Sequence, residues 1–221
     1  MTWIKICGIT NLEDALVAVD AGADALGFVF YEKSPRNVEP RRVREIVSQL
    51  PDGVEKVGVV VNGTEEHISA IADDAGLTAV QMHGDDEDPH VAALVVKRSK
   101  LKILVACSMQ HPVPERWAMM WGHDNVHAFL ADSGTSIKPG GTGESFDWAS
   151  SIESLNTIKR LGNLVVAGGL TPENVGEAMG ILHPWGVDVS SGVEAKPGKK
   201  DPDKVRAFIK AVREVDKANS N

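Results

Sequence analysis

The feature that most constrains the fold of this 221-residue chain is a strand–helix alternation that repeats about eight times. The repeat is about 28 residues long (221 divided by eight), which is short for a β/α barrel but within its range. Most predicted strands are apolar runs without strict alternation, as expected when both faces of a sheet are buried. The predicted strands span 2–8, 25–30, 55–61, 78–82, 102–107, 127–131, 163–167 and 186–190.

These units predict the α/β class and a single (β/α)8 TIM-barrel domain over residues 1–221, with a frayed tail from about Lys217. A doubly wound open sheet is the alternative, but such sheets usually carry fewer strands. The segment 108–126 has no clean helical repeat, so the fifth unit is the weakest.

Side-chain caps followed by an acidic residue or a proline predict where the helices begin. The first helix is expected to start at a capping box formed by Thr10 and Glu13. Four later starts carry a similar signal, at Thr64, Asp88, Thr171 and Asp201.

Charge and composition exclude several classes of function. The formal net charge of −8 argues against a nucleic-acid-binding surface. No stretch approaches the roughly 20 apolar residues of a membrane span, and the N-terminus lacks a signal-peptide layout. Two cysteines without short-spaced partners predict neither disulfides nor a zinc site, so we expect a cytoplasmic protein. An anionic substrate would need local cations to overcome the global charge.

Cys7 lies where the first strand ends, which is where barrels keep their chemistry. It is either a catalytic base or a small buried hydrophobe. Lys5 shares its strand face, and Asp188 lies on the neighbouring eighth strand, so we predict a Lys5–Asp188 pair beneath the thiol. Such an ammonium would lower the pKa of Cys7. Cys107 is expected to be a buried thiol.

Glycine-rich segments follow the last three predicted strands, where barrels commonly bind phosphate. Glycines let backbone N–H groups approach a phosphate closely, and a following helix N-terminus adds a favourable dipole. We therefore favour a phosphate site over plain turns, with a short extra helix near 191–195. The candidate residues are Gly141, Gly143, Gly168, Gly169, Ser190, Ser191 and Gly192, together with Asp188.

Three further polar residues stand at predicted strand ends. Arg36 is suited to a carboxylate or phosphate, although a solvated loop arginine is equally compatible with its position. Asp132 is either a helix cap or a general acid. His83 is either structural or part of the barrel mouth, with Gln81 beside it. His123 and His127 have no acidic or cysteine partners, so no metal site is expected there.

Taken together, the chain resembles the phosphoribosylanthranilate isomerase family over nearly its whole length. The matching segments are Lys5-Ile6-Cys7-Gly8-Ile9-Thr10, Gly27-Phe28-Val29-Phe30, Ser34-Pro35-Arg36, Gln81-Met82-His83-Gly84, Asp132-Ser133, Gly140-Gly141-Thr142-Gly143, Phe146-Asp147-Trp148, Ala167-Gly168-Gly169-Leu170 and Asp188-Val189-Ser190-Ser191-Gly192-Val193-Glu194. No single motif decides the resemblance, but the ordered set is highly specific.

The resemblance implies a barrel that performs an Amadori rearrangement of N-(5′-phosphoribosyl)anthranilate in tryptophan biosynthesis. It implies Asp132 as general acid, Cys7 as general base and Arg36 as the clamp for the anthranilate carboxylate. The glycine loops would hold the phosphate. Lys5, Gln81 and His83 would support the site. No cofactor or metal is implied, and the only expected partner is a small phosphorylated substrate, bound by a monomer or homodimer.

The departures from the family pattern are small. Met82 replaces an expected leucine, which conserves volume. Glu144 follows the first glycine loop and would repel a phosphate unless it points to solvent. The nearest rivals are the sugar-phosphate isomerase of histidine synthesis, which generally works with two carboxylates, and indole-glycerol-phosphate synthase, which has a lysine-rich site. A catalytically silent barrel acting as a sensor or scaffold is the rival from another class.

Overall fold

The computed structural model describes residues 1–83, 89–109, 126–133 and 146–219. Eight parallel strands form a closed barrel in chain order. They are β1 (Trp3–Cys7), β2 (Ala25–Phe30), β3 (Glu55–Val61), β4 (Ala79–His83), β5 (Lys102–Ser108), β6 (Ala128–Asp132), β7 (Asn163–Val166) and β8 (Gly186–Val189). Because β1 pairs with β8, the sheet has no edge, which confirms the barrel and excludes the open sheet.

Seven α-helices surround the barrel within the described ranges. They are α1 (Leu12–Ala21), α2 (Pro40–Val47), α3 (Glu65–Ala75), α4 (Pro89–Ser99), α5 (Ile152–Leu161), α6 (Val175–Leu182) and α7 (Pro202–Ala218). The short extra helix expected near 191–195 is a 3-10 turn over Ser191–Val193. An antiparallel hairpin that the sequence did not predict follows it, formed by β9 (Glu194–Lys196) and β10 (Lys199–Lys200).

The strands are buried on two faces, which explains why their sequences do not alternate. Small and branched residues fill the inside of the barrel, among them Ala25, Val57, Leu104 and Val165. A second, larger apolar layer packs between the strands and the helices. Register partners on adjacent parallel strands share a face. Lys5 pairs with Ala25 on one side and Asp188 on the other, so all three belong to the inner face.

Two of the predicted helix starts are confirmed. The Thr64 side chain accepts a hydrogen bond from the backbone of His67 and caps α3. Asp201 caps α7 by accepting from the N–H groups of Asp203 and Lys204. The α7 helix continues to Ala218, and the predicted cap at Asp88 lies outside the described residues.

Two other predicted starts are wrong, and each has a local cause. Asn11, not Thr10, caps α1, because the Thr10 hydroxyl donates instead to the carbonyl oxygen of Gly198 at 2.6 Å. At the other site the helix begins at Val175, one turn after Thr171. The Thr171 hydroxyl is used within the preceding turn, where it accepts from the Glu173 N–H at 3.2 Å.

The last helix holds the first residues of the chain against the barrel. The Asp216 carboxylate accepts from both the backbone N–H and the hydroxyl of Thr2. Arg213 donates to the Thr2 carbonyl and pairs with Asp24 at 3.0 Å. These contacts keep β1 in place beside β8. In the described part of the chain, none of the helices combines the length and apolar character needed to span a membrane.

Candidate active site

A cleft of about 540 Å³, partly open to solvent, lies at the C-terminal ends of the strands. Its polar lining consists of Cys7, Arg36, Gln81, His83, Asp132, Asp188, Ser34 and Ser190, with Tyr31 at the same mouth. The predicted candidates from β1, β4, β6 and β8 and from the loop after β2 are therefore brought together. They converge because each lies at or just after the C-terminal half of a parallel strand in the same closed barrel.

A second pocket of about 290 Å³ adjoins the cleft and shares Asp132, Asp188 and Ser190 with it. It is lined by Gly168 and Gly169 after β7 and by Ser190 and Ser191 after β8. Gly168 and Gly169 have φ values of 77° and 64°, which favour glycine. The Ser190 Oγ is buried and has no hydrogen-bond partner within the described ranges.

Gly192 lies just outside this pocket and contributes to its shape. A Cβ on Gly192 would lie 1.9 Å from the carbonyl oxygen of Leu170, so only glycine lets these two loops meet. Its open side faces a neighbouring cleft with Thr171 and Lys204. Gly141 and Gly143, the earlier predicted glycine loop, lie outside the described residues, as does Glu144.

Beneath the cleft, Lys5 is fully buried inside the barrel. Its Nζ lies 2.9 Å from Asp188 Oδ1 and donates to Gln81 Oε1 at 2.9 Å. The predicted Lys5–Asp188 contact is thus confirmed. Burial alone would lower the pKa of Lys5, but Asp188 and Cys7 leave it above its ordinary value, so the side chain is a buried ammonium.

The pKa of the Cys7 thiol is raised, because Cys7 is buried. Lys5 acts in the opposite direction and lowers this pKa, whereas Asp188 raises it further. The predicted direction of the Lys5 effect is therefore present, but it does not reverse the effect of burial. Burial also raises the pKa of Asp188, Lys5 opposes that rise, and the charge of Asp132 adds to it.

Asp132 is the last residue of β6, and only 7% of its surface is exposed. It lines both the cleft and the glycine pocket. Because β6 is three places from β1 around the ring, Asp132 and Cys7 approach the same cleft from different sides. A thiol and a carboxylate placed in this way can act on two different atoms of one bound molecule.

Arg36 is bound by Glu194, a residue for which the sequence predicted no role. Its Nε and Nη2 each donate to the Glu194 carboxylate at 2.8 Å. Glu194 also accepts from the buried Lys200 Nζ at 3.0 Å. Burial would raise the pKa of Glu194, but these hydrogen bonds and charges hold it below its ordinary value. Glu194 is the last residue of the matching segment that begins at Asp188. Its position directly after a glycine-containing loop was the sequence signal that could have indicated a role in the site.

Two of the remaining candidates, Cys107 and His127, lie away from the cleft. Cys107 is buried in the apolar layer outside the barrel, as predicted, and burial raises the pKa of its thiol. His127 precedes β6, at the opposite end of the barrel, and packs its ring edge-on against Trp185. His123 is outside the described residues. Over the described ranges, no group of three or more His, Cys, Asp or Glu side chains could hold a metal ion.

A closed (β/α)8 barrel with titratable side chains in a cleft at the C-terminal ends of its strands has the architecture of a barrel enzyme. Residues 4–211 match the model of the family described as N-(5'phosphoribosyl)anthranilate (PRA) isomerase. The chain belongs to this isomerase family.

Individual relatives are similar to this chain over nearly its whole length. The N-(5'-phosphoribosyl)anthranilate isomerase of Geotalea uraniireducens is 43% identical over 216 residues, which cover 96% of this chain and 99% of the relative. The crystal structure of the Thermus thermophilus phosphoribosyl anthranilate isomerase has a TM-score of 0.84 at 33% identity and covers 97% of this chain and 100% of its own. A phosphoribosyl anthranilate isomerase in complex with reduced 1-(o-carboxyphenylamino)-1-deoxyribulose 5-phosphate has a TM-score of 0.80 at 39% identity, with the same coverage.

Proposed function

We propose that Cys7 and Asp132 are the base and acid with which this isomerase converts N-(5′-phosphoribosyl)anthranilate to 1-(2-carboxyphenylamino)-1-deoxyribulose 5-phosphate, a step of tryptophan biosynthesis. The observation that carries the proposal is that both side chains line one cleft, which is continuous with the glycine pocket. The reaction is an internal redox shift from an aldose to a ketose, so it needs only proton transfers.

The reaction begins when Asp132 protonates the ribose ring oxygen. The C1′–O bond then breaks, the furanose opens, and the nitrogen lone pair forms the Schiff base. The iminium acidifies the C2′ hydrogen, which Cys7 removes as a thiolate. The resulting enolamine tautomerises to the amino ketone. No covalent bond forms between enzyme and substrate at any step.

Lys5 supports the base in this scheme. Its ammonium, held by Asp188 and Gln81, lies beneath Cys7 and favours the thiolate over the thiol. Because burial raises the pKa of Cys7 even with Lys5 present, the thiolate would be scarcer still without this charge. Lys5 therefore acts through Cys7 and does not itself exchange a proton with the substrate.

The two anionic ends of the substrate would bind at different places. Arg36 lines the cleft and meets the anthranilate carboxylate. The phosphate occupies the pocket of Gly168, Gly169 and Ser191, where the buried Ser190 hydroxyl is a ready donor. Backbone N–H groups and the 3-10 turn after β8 add positive potential there. These local donors offset the formal net charge of −8.

The proposal is tested by forming phosphoribosylanthranilate in situ and following the loss of its anthranilate-type fluorescence. Cys7→Ser and Asp132→Asn should each lower kcat by at least about 10²-fold, the usual scale for a general acid or base. Cys107→Ser and Asp20→Asn are matched controls, since Cys107 is a buried thiol outside the cleft and Asp20 is exposed. Turnover like the wild type in either active-site variant would contradict its assigned role. A barrel that only senses the ligand would show no turnover at all.

We also propose that residues 1–221 form one domain and act in the cytoplasm as a monomer or homodimer. The single closed barrel supports the first part. Size-exclusion chromatography with light scattering distinguishes the two assembly states.

A further inference from the structure

Arg36, Glu194 and Lys200 form a charged triad at the edge of the cleft, in which Glu194 and Lys200 are buried and Arg36 is partly exposed. Glu194 Oε1 accepts from Arg36 Nε at 2.8 Å, from Lys200 Nζ at 3.0 Å and from the Gly198 N–H at 3.3 Å. Lys200 is 1% exposed and Glu194 is 7% exposed. Three of these residues, Glu194, Gly198 and Lys200, belong to the β9–β10 hairpin, which thus presents a carboxylate to the arginine.

The hairpin determines which edge of the guanidinium is available to a ligand. Nε and Nη2 together form one bidentate edge, and both are bound to Glu194. The other edge, formed by Nη1 and the second hydrogen of Nη2, has no protein partner among the described residues and can bind a ligand. The two hydrogen bonds to Glu194 hold the guanidinium, and the Arg36 stem packs against Gly8, next to Cys7, where a Cβ would lie 2.5 Å from Arg36 Cδ.

The charges of the triad explain why a third member is present. An Arg36–Glu194 pair alone is formally neutral and would attract a carboxylate poorly. Lys200 brings the triad to a formal charge of +1 while it also ties Glu194 to the carbonyl oxygen of Ser190, to which its Nζ donates at 3.1 Å. The triad thus combines an arginine guanidinium held by Glu194 with a net positive charge that attracts a carboxylate.

We propose that Glu194 is a positioning residue that aims Arg36 at the substrate carboxylate, and that Lys200 supplies the positive charge which Glu194 would otherwise cancel. This inference rests on the proposed function, because it assumes that Arg36 meets the carboxylate of the anthranilate ring. It makes the β9–β10 hairpin part of substrate recognition.

Glu194→Gln distinguishes positioning from simple attraction, because the two predict opposite changes in the affinity for the carboxylate. The substitution raises the triad charge from +1 to +2, so attraction alone predicts tighter binding of an anion. Loss of the charged fork predicts weaker binding, by at least about tenfold, which corresponds to about 1.4 kcal/mol. The double variant Glu194→Gln/Lys200→Gln restores a formal +1 but should bind no better than Glu194→Gln alone.

The probes are reduced 1-(o-carboxyphenylamino)-1-deoxyribulose 5-phosphate and its phenylamino analogue without the carboxylate, each titrated calorimetrically. Glu194→Gln should weaken only the first. Equal weakening of both would reveal a structural role and overturn the proposal, as would unchanged or tighter binding of the first. Glu177→Gln, on the exposed face of α6, is the matched control. If Glu194→Gln does not fold, Glu194→Asp keeps the charge, shortens the reach and should show the same selective loss.

Lys200→Gln should weaken binding of the carboxylate probe, and because Lys200 is buried, this loss should persist at high salt. Lys196→Gln removes an exposed lysine from the same hairpin and should leave binding of the carboxylate probe unchanged. Wild-type-like binding by Lys200→Gln would overturn the charge argument. Absence of turnover in the wild type would overturn the proposed function and this inference together. If the wild type turns over the substrate but Glu194→Gln weakens both probes equally, this inference alone is overturned.

Discussion

Gly192→Ala is the change whose effect follows most directly from the contacts between the last two loops. The added Cβ would lie 1.9 Å from the carbonyl oxygen of Leu170 and 3.3 Å from the Cα of Thr171. Both neighbours are backbone atoms, so no side-chain rotation relieves the overlap. An ordinary contact begins near 3.4 Å, so the loop after β7 and the turn after β8 must separate by about 1.5 Å.

The size of the effect follows from what these loops carry. They line the pocket proposed for the phosphate through Gly169 and Ser191. Misplacing substrate-positioning groups by about 1 Å can cost about 10²-fold in rate. We therefore expect kcat/KM to fall by about 10²-fold or more, which is about 2.7 kcal/mol of transition-state stabilisation. Overpacking of this kind should also lower the free energy of unfolding by about 1–3 kcal/mol.

The assay is the fluorescence decay of phosphoribosylanthranilate, with urea unfolding measured in parallel. Gly180→Ala is a matched control, since a Cβ there meets nothing within 4 Å and the residue lies inside α6. It should leave the kinetics unchanged and stabilise the fold by about 0.5–1 kcal/mol. Wild-type kinetic constants in Gly192→Ala would refute the reasoning, because they would mean that the loop contact does not shape the site.

Two further predictions concern the base and the clamp. In a Cys107→Ser background, Lys5→Met should shift the pH profile of Cys7 alkylation to higher pH. Lys5 is the strongest group that lowers the pKa of that thiol, and without it only Lys200 opposes the effect of burial. Coincident profiles would contradict the role of Lys5. Arg36→Ala should raise KM more than it lowers kcat in the same fluorescence assay, since the arginine is proposed to bind a group remote from the reacting carbons, and an unchanged KM would remove it from substrate binding.

The barrel itself was predictable because its signal is repeated. All eight strands lie within about a residue or two of the predicted ranges, since a buried parallel strand is a short apolar run whatever its neighbours are. Helix starts were less predictable. A hydroxyl such as that of Thr10 has several possible partners, and its contact with Gly198 depends on a residue far along the chain.

Site residues at the ends of strands could be predicted from the sequence. Residues that act by holding another side chain were harder to predict. Strand parity alone was enough to pair Lys5 with Asp188, because a closed barrel of eight strands puts the first beside the last. The net direction in which the pKa of Cys7 shifts could not be predicted in this way, since it depends on how deeply the thiol is buried. Glu194 was quoted as part of a motif, but its partner Lys200 belongs to a hairpin with no sequence signal.

The Lys5–Asp188 pair also makes the tuning of the base depend on closure of the barrel. The two residues are separated by almost the whole barrel in sequence, and they meet only when β8 closes on β1. Contacts of such high sequence separation carry a large loop-closure cost. The charge that lowers the pKa of Cys7 is therefore held in place by the pairing of the first and last strands. Any change that opens the ring at this pairing also removes the carboxylate that holds Lys5 beneath the thiol.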